Sequence, residues 1–351
     1  MAFLTLVALF TSNMAQAQNS KPLPDPDGKP ADMSKPVQVY ILLGQSNMLG
    51  FGKTAGADKD GTLEHAVKTK ELYPYLVDES GKWTERKDVR NVRVMGSGLG
   101  GAKLINNEWM TIKGRAIGPE IGIGHHVGNV TEAPVMILKS CIGNRALGWD
   151  LLPPGGEGFE FTDAKGVTWM HPGYKGSPER WKKGEEPKKI KWYAGMQYDG
   201  DISRAKKVLG ELDKHYPEAK EYEVAGFFWW QGDRDSRSAA LSSRYEKNLV
   251  HLIKTLRKDF NAPNAKFVCA SLGQTKKGAT DGGGKILDAI LAVDGKSGKY
   301  PEFEGNVASV YTHPLSKGGS SGAHYGGNAE TYMNVGEAMG KAMVELMKAE
   351  K

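Results

Sequence analysis

The sequence predicts an α/β fold in which a parallel sheet is covered by helices on both faces. Three observations carry this prediction. Five short apolar, β-branched-rich runs recur along the 351 residues, stretches of helical period lie between them, and 45 glycines with 17 prolines supply the turns. Strands of a parallel sheet are buried on both sides, so they read as unbroken apolar runs. Hydrophobic residues at 39% and charged residues at 25% fit an ordinary globular chain rather than a disordered or fibrous one.

The chain opens on its one long apolar run, Ala2 to Phe10, which is too short to span a bilayer. Thr11-Ser12-Asn13 and then Ala15-Gln16-Ala17, a small-x-small cleavage pattern, follow it, so residues 1–17 read as a signal peptide, although no Lys or Arg precedes the run. That reading places the mature protein outside the cytoplasm, secreted or periplasmic. Residues 18–36 are proline-rich without apolar periodicity and read as an extended tether, and residues 37–351 as one domain.

Within the domain the expected strands are Val37–Leu43, Pro134–Lys139, Val224–Trp230, Lys266–Ser271 and Asn306–Tyr311. One helix is marked by Ile202, Ala205, Val208, Leu209 and Leu212 behind Asp201 as its N-cap. A second is marked by Tyr245, Leu249, Leu252, Ile253, Leu256 and Phe260, and a last by Met333, Gly336, Met339, Gly340, Met343 and Met347. Residues 51–117 and 151–196 are longer than plain crossovers need, as functional loops or small extra elements are. The second stretch sets Trp169, Tyr174, Trp181, Trp192, Tyr193 and Tyr198 among lysines, either to meet sugar rings or to pack the insertion on the sheet.

The net charge of +6 is the small excess of 47 basic over 41 acidic residues spread along the chain, which argues against a dedicated nucleic-acid binder. Cys141 and Cys269, at the ends of the second and fourth runs, are expected to stay unpaired, because two strands would separate them.

Chemistry is expected at the carboxyl ends of the strands. The first run ends in Gly44-Gln45-Ser46-Asn47-Met48, a serine on a strand-to-helix turn whose N–H groups face a developing oxyanion. The pattern lacks the final glycine of an α/β-hydrolase elbow. The third run ends in Phe228-Trp229-Trp230-Gln231-Gly232-Asp233-Arg234-Asp235, an amide and two carboxylates on the same sheet edge. After the fifth run, the glycine-rich stretch Lys317 to Gly327 delivers His324 ahead of the last helix, with His313 as its competitor for the role of base. His125 and His126 follow a glycine-rich helical stretch and suit packing.

Together with Gly118-Pro119-Glu120 and Lys139-Ser140-Cys141-Ile142-Gly143, these motifs occur in an order that resembles the SGNH hydrolase superfamily. Within it the chain is similar to the sialate O-acetylesterase-like domain, which includes the acetylxylan esterases of carbohydrate esterase family six. The resemblance covers residues 37–347. It implies a three-layer flavodoxin-like fold with a five-stranded parallel sheet in the order 2-1-3-4-5. It also implies hydrolysis of O-acetyl esters on carbohydrate, with no metal or other cofactor.

The family's nucleophile falls on Ser46, its oxyanion donors on the N–H groups of Ser46 and Gly143 and the side chain of Gln231, and its base on His324. Gln45, Asn47 and Trp230 are the candidate substrate contacts. Many relatives carry Asp three residues before the histidine, where this chain has Ser321. The supporting acid is therefore expected from Asp233, ahead of Asp235, with a carboxyl oxygen within about 3.2 Å of the imidazole. A rival reading is a carbohydrate-binding relative whose catalysis is impaired.

Overall fold

The run Val37–Gly44 (β1) folds as the central strand of a seven-stranded sheet, because all but one of its residues are buried and only a strand flanked on both sides can bury them. The computed structural model describes residues 30–349, so the expected signal peptide and most of the proline-rich tether lie outside the described residues. The other strands are Arg86–Met95 (β2), Lys103–Met110 (β3), Val135–Ser140 (β4), Tyr222–Trp230 (β5), Lys266–Ala270 (β6) and Val307–Val310 (β7). Their spatial order is β7-β6-β5-β1-β4-β2-β3, parallel throughout except for the antiparallel edge strand β3.

The five runs read from the sequence are β1, β4, β5, β6 and β7, and they stand in the expected 2-1-3-4-5 order. The expectation of a five-stranded sheet is corrected, since residues 51–117 add β2 and β3 on the β4 side. Polar composition hid them. β2 carries Arg86, Arg90 and Asn91 into buried positions, and Arg90 satisfies its guanidinium on the carbonyls of His215 and Asn107 at 2.9 Å each.

Helices Met196–Gly210 (α2), Ala239–Asp259 (α3) and Gly282–Ala292 (α4) cover one face of the sheet, while Glu120–Gly128 (α1) and Ala329–Lys348 (α5) cover the other. α3 starts at Ser238, whose hydroxyl accepts from Leu241 N at 3.3 Å. It lays Leu249, Leu252, Ile253 and Leu256 against β1 and β5, each burial contributing roughly 1.5–3 kcal/mol. α1 and α5 cross without intervening side chains: a Cβ on Gly122 would come within 2.4 Å of Glu337 N, and one on Gly336 within 2.4 Å of Pro119 O. Alanine at either position would push the helices apart.

Asp201 is not the cap of α2. The helix begins five residues earlier, behind Gly195 at φ +93, and the Asp201 carboxylate accepts from Gln197 and Arg204 at 2.8 Å inside the first turns. Residues 151–196 include a three-stranded antiparallel sheet, Phe159–Thr162, Thr168–His171 and Trp181–Lys182. Cys141 and Cys269 are free and buried, as their strand positions require, and burial pushes both thiols up to about 12. Among the described residues no helix is long and apolar enough to cross a membrane.

Candidate active site

The site forms where β1 and β5 end side by side. Gly44 takes φ +142, and a Cβ there would lie 2.4 Å from the Trp230 carbonyl, so only glycine lets the two strand ends stay in contact. The chain turns at once into a short helix, Ser46–Leu49, which leaves Ser46 at its head and 8% exposed. The far end of that turn is anchored from below. Lys139, fully buried on β4, donates to the Leu49 carbonyl at 3.0 Å and to Glu120 at 2.5 Å. Burial lowers the Lys139 pKa, and the Glu120 carboxylate opposes that shift.

Gly143 lies across from the nucleophile, since a Cβ built on it would meet the Ser46 Cβ at 3.4 Å. Neither Ser46 N–H nor Gly143 N–H finds an acceptor among the described residues, and Ser46 Oγ is likewise unbonded. These are two backbone donors free to receive an anion beside an unengaged hydroxyl.

The side chain of Gln231, expected as an oxyanion donor, is engaged elsewhere in this structure. It is fully buried, and its Nε2 donates to Asp235 at 2.6 Å, Arg145 O at 2.8 Å and Gln45 at 3.2 Å. Its Oε1 accepts from the Tyr245 hydroxyl at 2.9 Å. Asp235 is also committed: it accepts from the N–H groups of Leu147 and Gly148 at 2.9 Å each, and burial raises its pKa to about 6. The pair ties the turn after β5 to the loop after β4, and so fixes Gly143 beside Ser46.

The expected substrate contacts Gln45, Asn47 and Trp230 lie inside the turn. Gln45 is 2% exposed, and Asn47 and Trp230 are fully buried. Gln45 is spent on Gln231 and the Arg234 N–H, Trp230 donates to Ser271 O at 3.0 Å between Tyr325 and Tyr332, and the Asn47 amide has no partner among the described residues. Their motif positions are legible because they build the turn.

His324 rides on a segment, Ser321–Gly327, that packs against the Ser46 turn. His324, Tyr325 and Gly326 run through the left-handed region at φ +51, +53 and +63, unfavourable for the first two. Buried Tyr325 holds the turn, its hydroxyl accepting from Gly273 N at 3.1 Å. The half-buried imidazole stacks on Phe51 with ring centroids 4.0 Å apart and planes 7° apart. No hydrogen bond joins its ring to Ser46, Asp233 or Asp235.

The expected contact between a carboxylate and the ring is therefore corrected, and its cause is visible. Asp233 accepts from Ser321 Oγ at 2.8 Å and from Arg237. Its carboxylate lies against the segment that carries His324, held by the very residue that replaces the usual Asp. His313 is engaged elsewhere, with its Nδ1 2.7 Å from Gly273 O. His125 is buried against Tyr75, and His126 Nδ1 lies 3.1 Å from Gly122 O, as packing residues would be.

Residues 176–345 match a family model described as carbohydrate esterase, sialic acid-specific acetylesterase. No curated protein matches the sequence. Among solved structures the chain is similar to a protein from Arabidopsis thaliana at 16% identity and a TM-score of 0.49, over 88% of this chain and 98% of that one. It is also similar to a carbohydrate acetylesterase from Xanthomonas citri at 13% identity and a TM-score of 0.48, over 87% of this chain and 55% of that one. A third similarity, to NanS, has 12% identity and a TM-score of 0.45 over 90% and 99% of the two chains.

Proposed function

We propose that the protein removes O-acetyl groups from carbohydrate with Ser46 as nucleophile, a reading supported by the match of residues 176–345 to the model of a sialic acid-specific acetylesterase family of carbohydrate esterases. The observation that carries this reading is the pair of unengaged N–H groups, on Ser46 and on Gly143, which lies next to Ser46 and its free hydroxyl. In the proposed reaction Ser46 Oγ attacks the acetyl carbonyl while His324 takes its proton. The carbonyl oxygen becomes an oxyanion between the two N–H groups, and a backbone hole replaces the side-chain amide expected of Gln231. Collapse breaks the ester bond, and His324 returns the proton to the departing sugar hydroxyl. Water, deprotonated by His324, then attacks the acetyl-serine, and as the acyl–oxygen bond breaks His324 returns that proton to Ser46 Oγ and acetate departs.

Asp233 is the acid we assign to the imidazolium. Ser321 and Arg237 hold its carboxylate beside the His324 segment, and the imidazole leaves its stack on Phe51 to meet both partners. Hydrogen bonds of this kind commonly tighten only with substrate bound. We further propose that the reaction takes place outside the cytoplasm, on the evidence of the signal-like residues 1–17.

The test is acetate release from acetylated xylan, acetylated pectin and O-acetylated sialic acid, and from nitrophenyl acetate, by wild type and Ser46→Ala. Release by wild type alone supports the assignment. Equal release by both removes Ser46 from the mechanism. Glycan binding without release from any ester would leave a carbohydrate-binding relative as the reading.

A further inference from the structure

Two charges lie buried beneath the Ser46 turn and take no part in the proposed reaction. Lys139 is 1% exposed on β4 and Glu120 is 8% exposed at the start of α1, so their 2.5 Å contact is made away from water. Burying such a pair is a poor route to stability, because the cost of stripping water from both ions offsets most of their attraction. Apolar side chains of the same volume would fill the space at no greater cost. The pair has to be explained by what its hydrogen bonds hold.

They hold three segments that meet at the nucleophile. Lys139 Nζ donates to the Leu49 carbonyl at 3.0 Å, and no other donor reaches that carbonyl among the described residues. Glu120 Oε1 accepts from Gly118 N at 3.1 Å while its Oε2 takes Lys139. Gly118 in turn is pressed against the residue that ends the nucleophile helix: a Cβ on Gly50, which takes φ +91, would come within 2.3 Å of Gly118 Cα. A Cβ on Gly118 would strike Glu120 Oε2 at 2.4 Å and Lys139 Nζ at 2.9 Å, so the ion pair fills the space directly beside it.

The same lysine reaches the other half of the oxyanion site. Gly143 closes the run Lys139-Ser140-Cys141-Ile142-Gly143, and the pairing of Lys139 with Leu42 locks the start of that run to β1. A Cβ on Gly143 would meet Leu49 Cδ1 at 3.9 Å, just beyond the Ser46 Cβ. Leu49 is thus gripped at its carbonyl by Lys139 and lies with its side chain next to Gly143. Ser46 and Gly143 are both placed relative to Lys139, one through the helix and one through the strand end.

We propose that Lys139 and Glu120 are positioning residues for the ester hydrolysis: through Leu49 they set the spacing of the Ser46 and Gly143 N–H groups between which the oxyanion forms. This rests on the reading of Ser46 as nucleophile. Neither residue touches the substrate, so their loss slows the chemical steps and leaves ground-state binding unchanged.

Three variants of the whole protein test it through melting temperature, nitrophenyl acetate kinetics and the rate of Ser46 labelling by a fluorophosphonate, whose phosphoryl oxygen needs the same two donors. Lys139→Met leaves the Glu120 carboxylate buried and unpaired, and should lower the melting temperature. Glu120→Gln keeps the Lys139 donor on Leu49 and should lose less turnover than Lys139→Met. The double variant Lys139→Met/Glu120→Gln removes both charges and should recover most of the lost melting temperature. Its kcat and labelling rate should nevertheless stay roughly 10- to 100-fold below wild type with KM within about twofold, as for a displaced reacting group. Stability and rate both restored in the double variant, or a raised KM with kcat unchanged, would overturn the positioning role. Labelling that falls in this way, with no acetate released from any ester by wild type, would leave the placement of the two N–H groups standing and sink the esterase reading. A wild type neither labelled nor active would sink both.

Discussion

The two halves of the site are built in opposite ways. The nucleophile half is a closed network in which Gln231, Asp235, Gln45 and the 145–148 loop satisfy one another, and Ser46 and Gly143 are left facing each other by what surrounds them. The base half is pinned at its neighbours and loose at its centre. Tyr325 and Ser321 anchor the segment through Gly273 and Asp233, while the imidazole between them is held by a single stack on Phe51. Donors for an oxyanion work best when already in place, whereas a base has to turn between nucleophile, leaving group and water. The difference in bonding follows the difference in task.

Breaking the fixed half at its reacting atom should give the largest effect. Ser46→Ala should reduce acetate release by at least ~10³-fold, measured as kcat/KM on nitrophenyl acetate. Its melting temperature should stay close to that of wild type, because Ser46 Oγ holds nothing in the fold. The acid comes next. Asp233→Asn should lower kcat by roughly 10²- to 10⁴-fold with little change in KM, if its charge is what supports the imidazolium. Ser321→Ala, which only loosens the carboxylate's seat while Arg237 still holds it, should cost about tenfold, the low end of the value of one hydrogen bond to a charged group. Near-normal turnover by Asp233→Asn would show that another group steadies His324.

The closed network should reveal itself in stability rather than rate. Asp235 is fully buried with its pKa raised to about 6, above the ordinary 3.8, so the folded state holds its proton more tightly than the unfolded chain does. That linkage favours folding most below pH ~4 and fades as pH rises to about 6, a span worth roughly 3 kcal/mol at 1.36 kcal/mol per unit. Asp201, raised by burial to about 7, acts in the same direction. Over pH 4 to 7 this contribution opposes that of the wholly or partly buried histidines His125, His126, His171 and His215, whose lowered pKa values make stability rise with pH, so it is read in urea unfolding as the difference between wild type and Asp235→Asn. Asp235→Asn should remove the part of the profile that falls with pH, and should lower stability by about 1–3 kcal/mol, since an amide sets its NH2 against donors at Leu147, Gly148 or Gln231. An unchanged pH profile in the variant would mean that Asp235 is ionised throughout.

Much of the fixed half was legible in the sequence. Val37–Gly44 and Tyr222–Trp230 are strands that could be nothing else, and glycine at 44 before Ser46 marks a turn that no other residue tolerates. What escaped depends on partners distant in sequence. β2 buries arginines whose acceptors come from β3 and His215, so its composition reads as a surface loop. Asp201 looks like a helix cap until Arg204 and Gln197 claim it within the helix. Gln231 looks like a free donor until the Asp235 carboxylate, four residues on, is seen to consume it. Each miss concerns a polar side chain, because its role is set by which neighbour it meets, whereas the role of an apolar run is set by the run itself.

The smallest expected effect probes the loose half directly. Phe51 is 38% exposed and among the described residues its only aromatic contact is the His324 imidazole, so its removal costs the fold little. An aromatic stack of this sort is worth about 0.5–1.5 kcal/mol. If the stack is a resting place from which the ring must depart to reach Ser46, then Phe51→Ala has two consequences that oppose each other. The ring loses its guide, which lowers the fraction of correct approaches, but it also loses a contact that competes with the productive position. The net change in kcat should therefore stay within about threefold of wild type, at the low end of the roughly two- to twelvefold that the stacking energy alone would produce. Phe51→Leu should fall between the two. The discriminating measurement is the imidazole proton spectrum of wild type and Phe51→Ala: loss of the ring-current shift at His324 with turnover preserved supports a mobile base. A drop in kcat of about a hundredfold or more would mean that the stacked geometry is itself the working one, and the contrast between a rigid and a movable half would have to be abandoned.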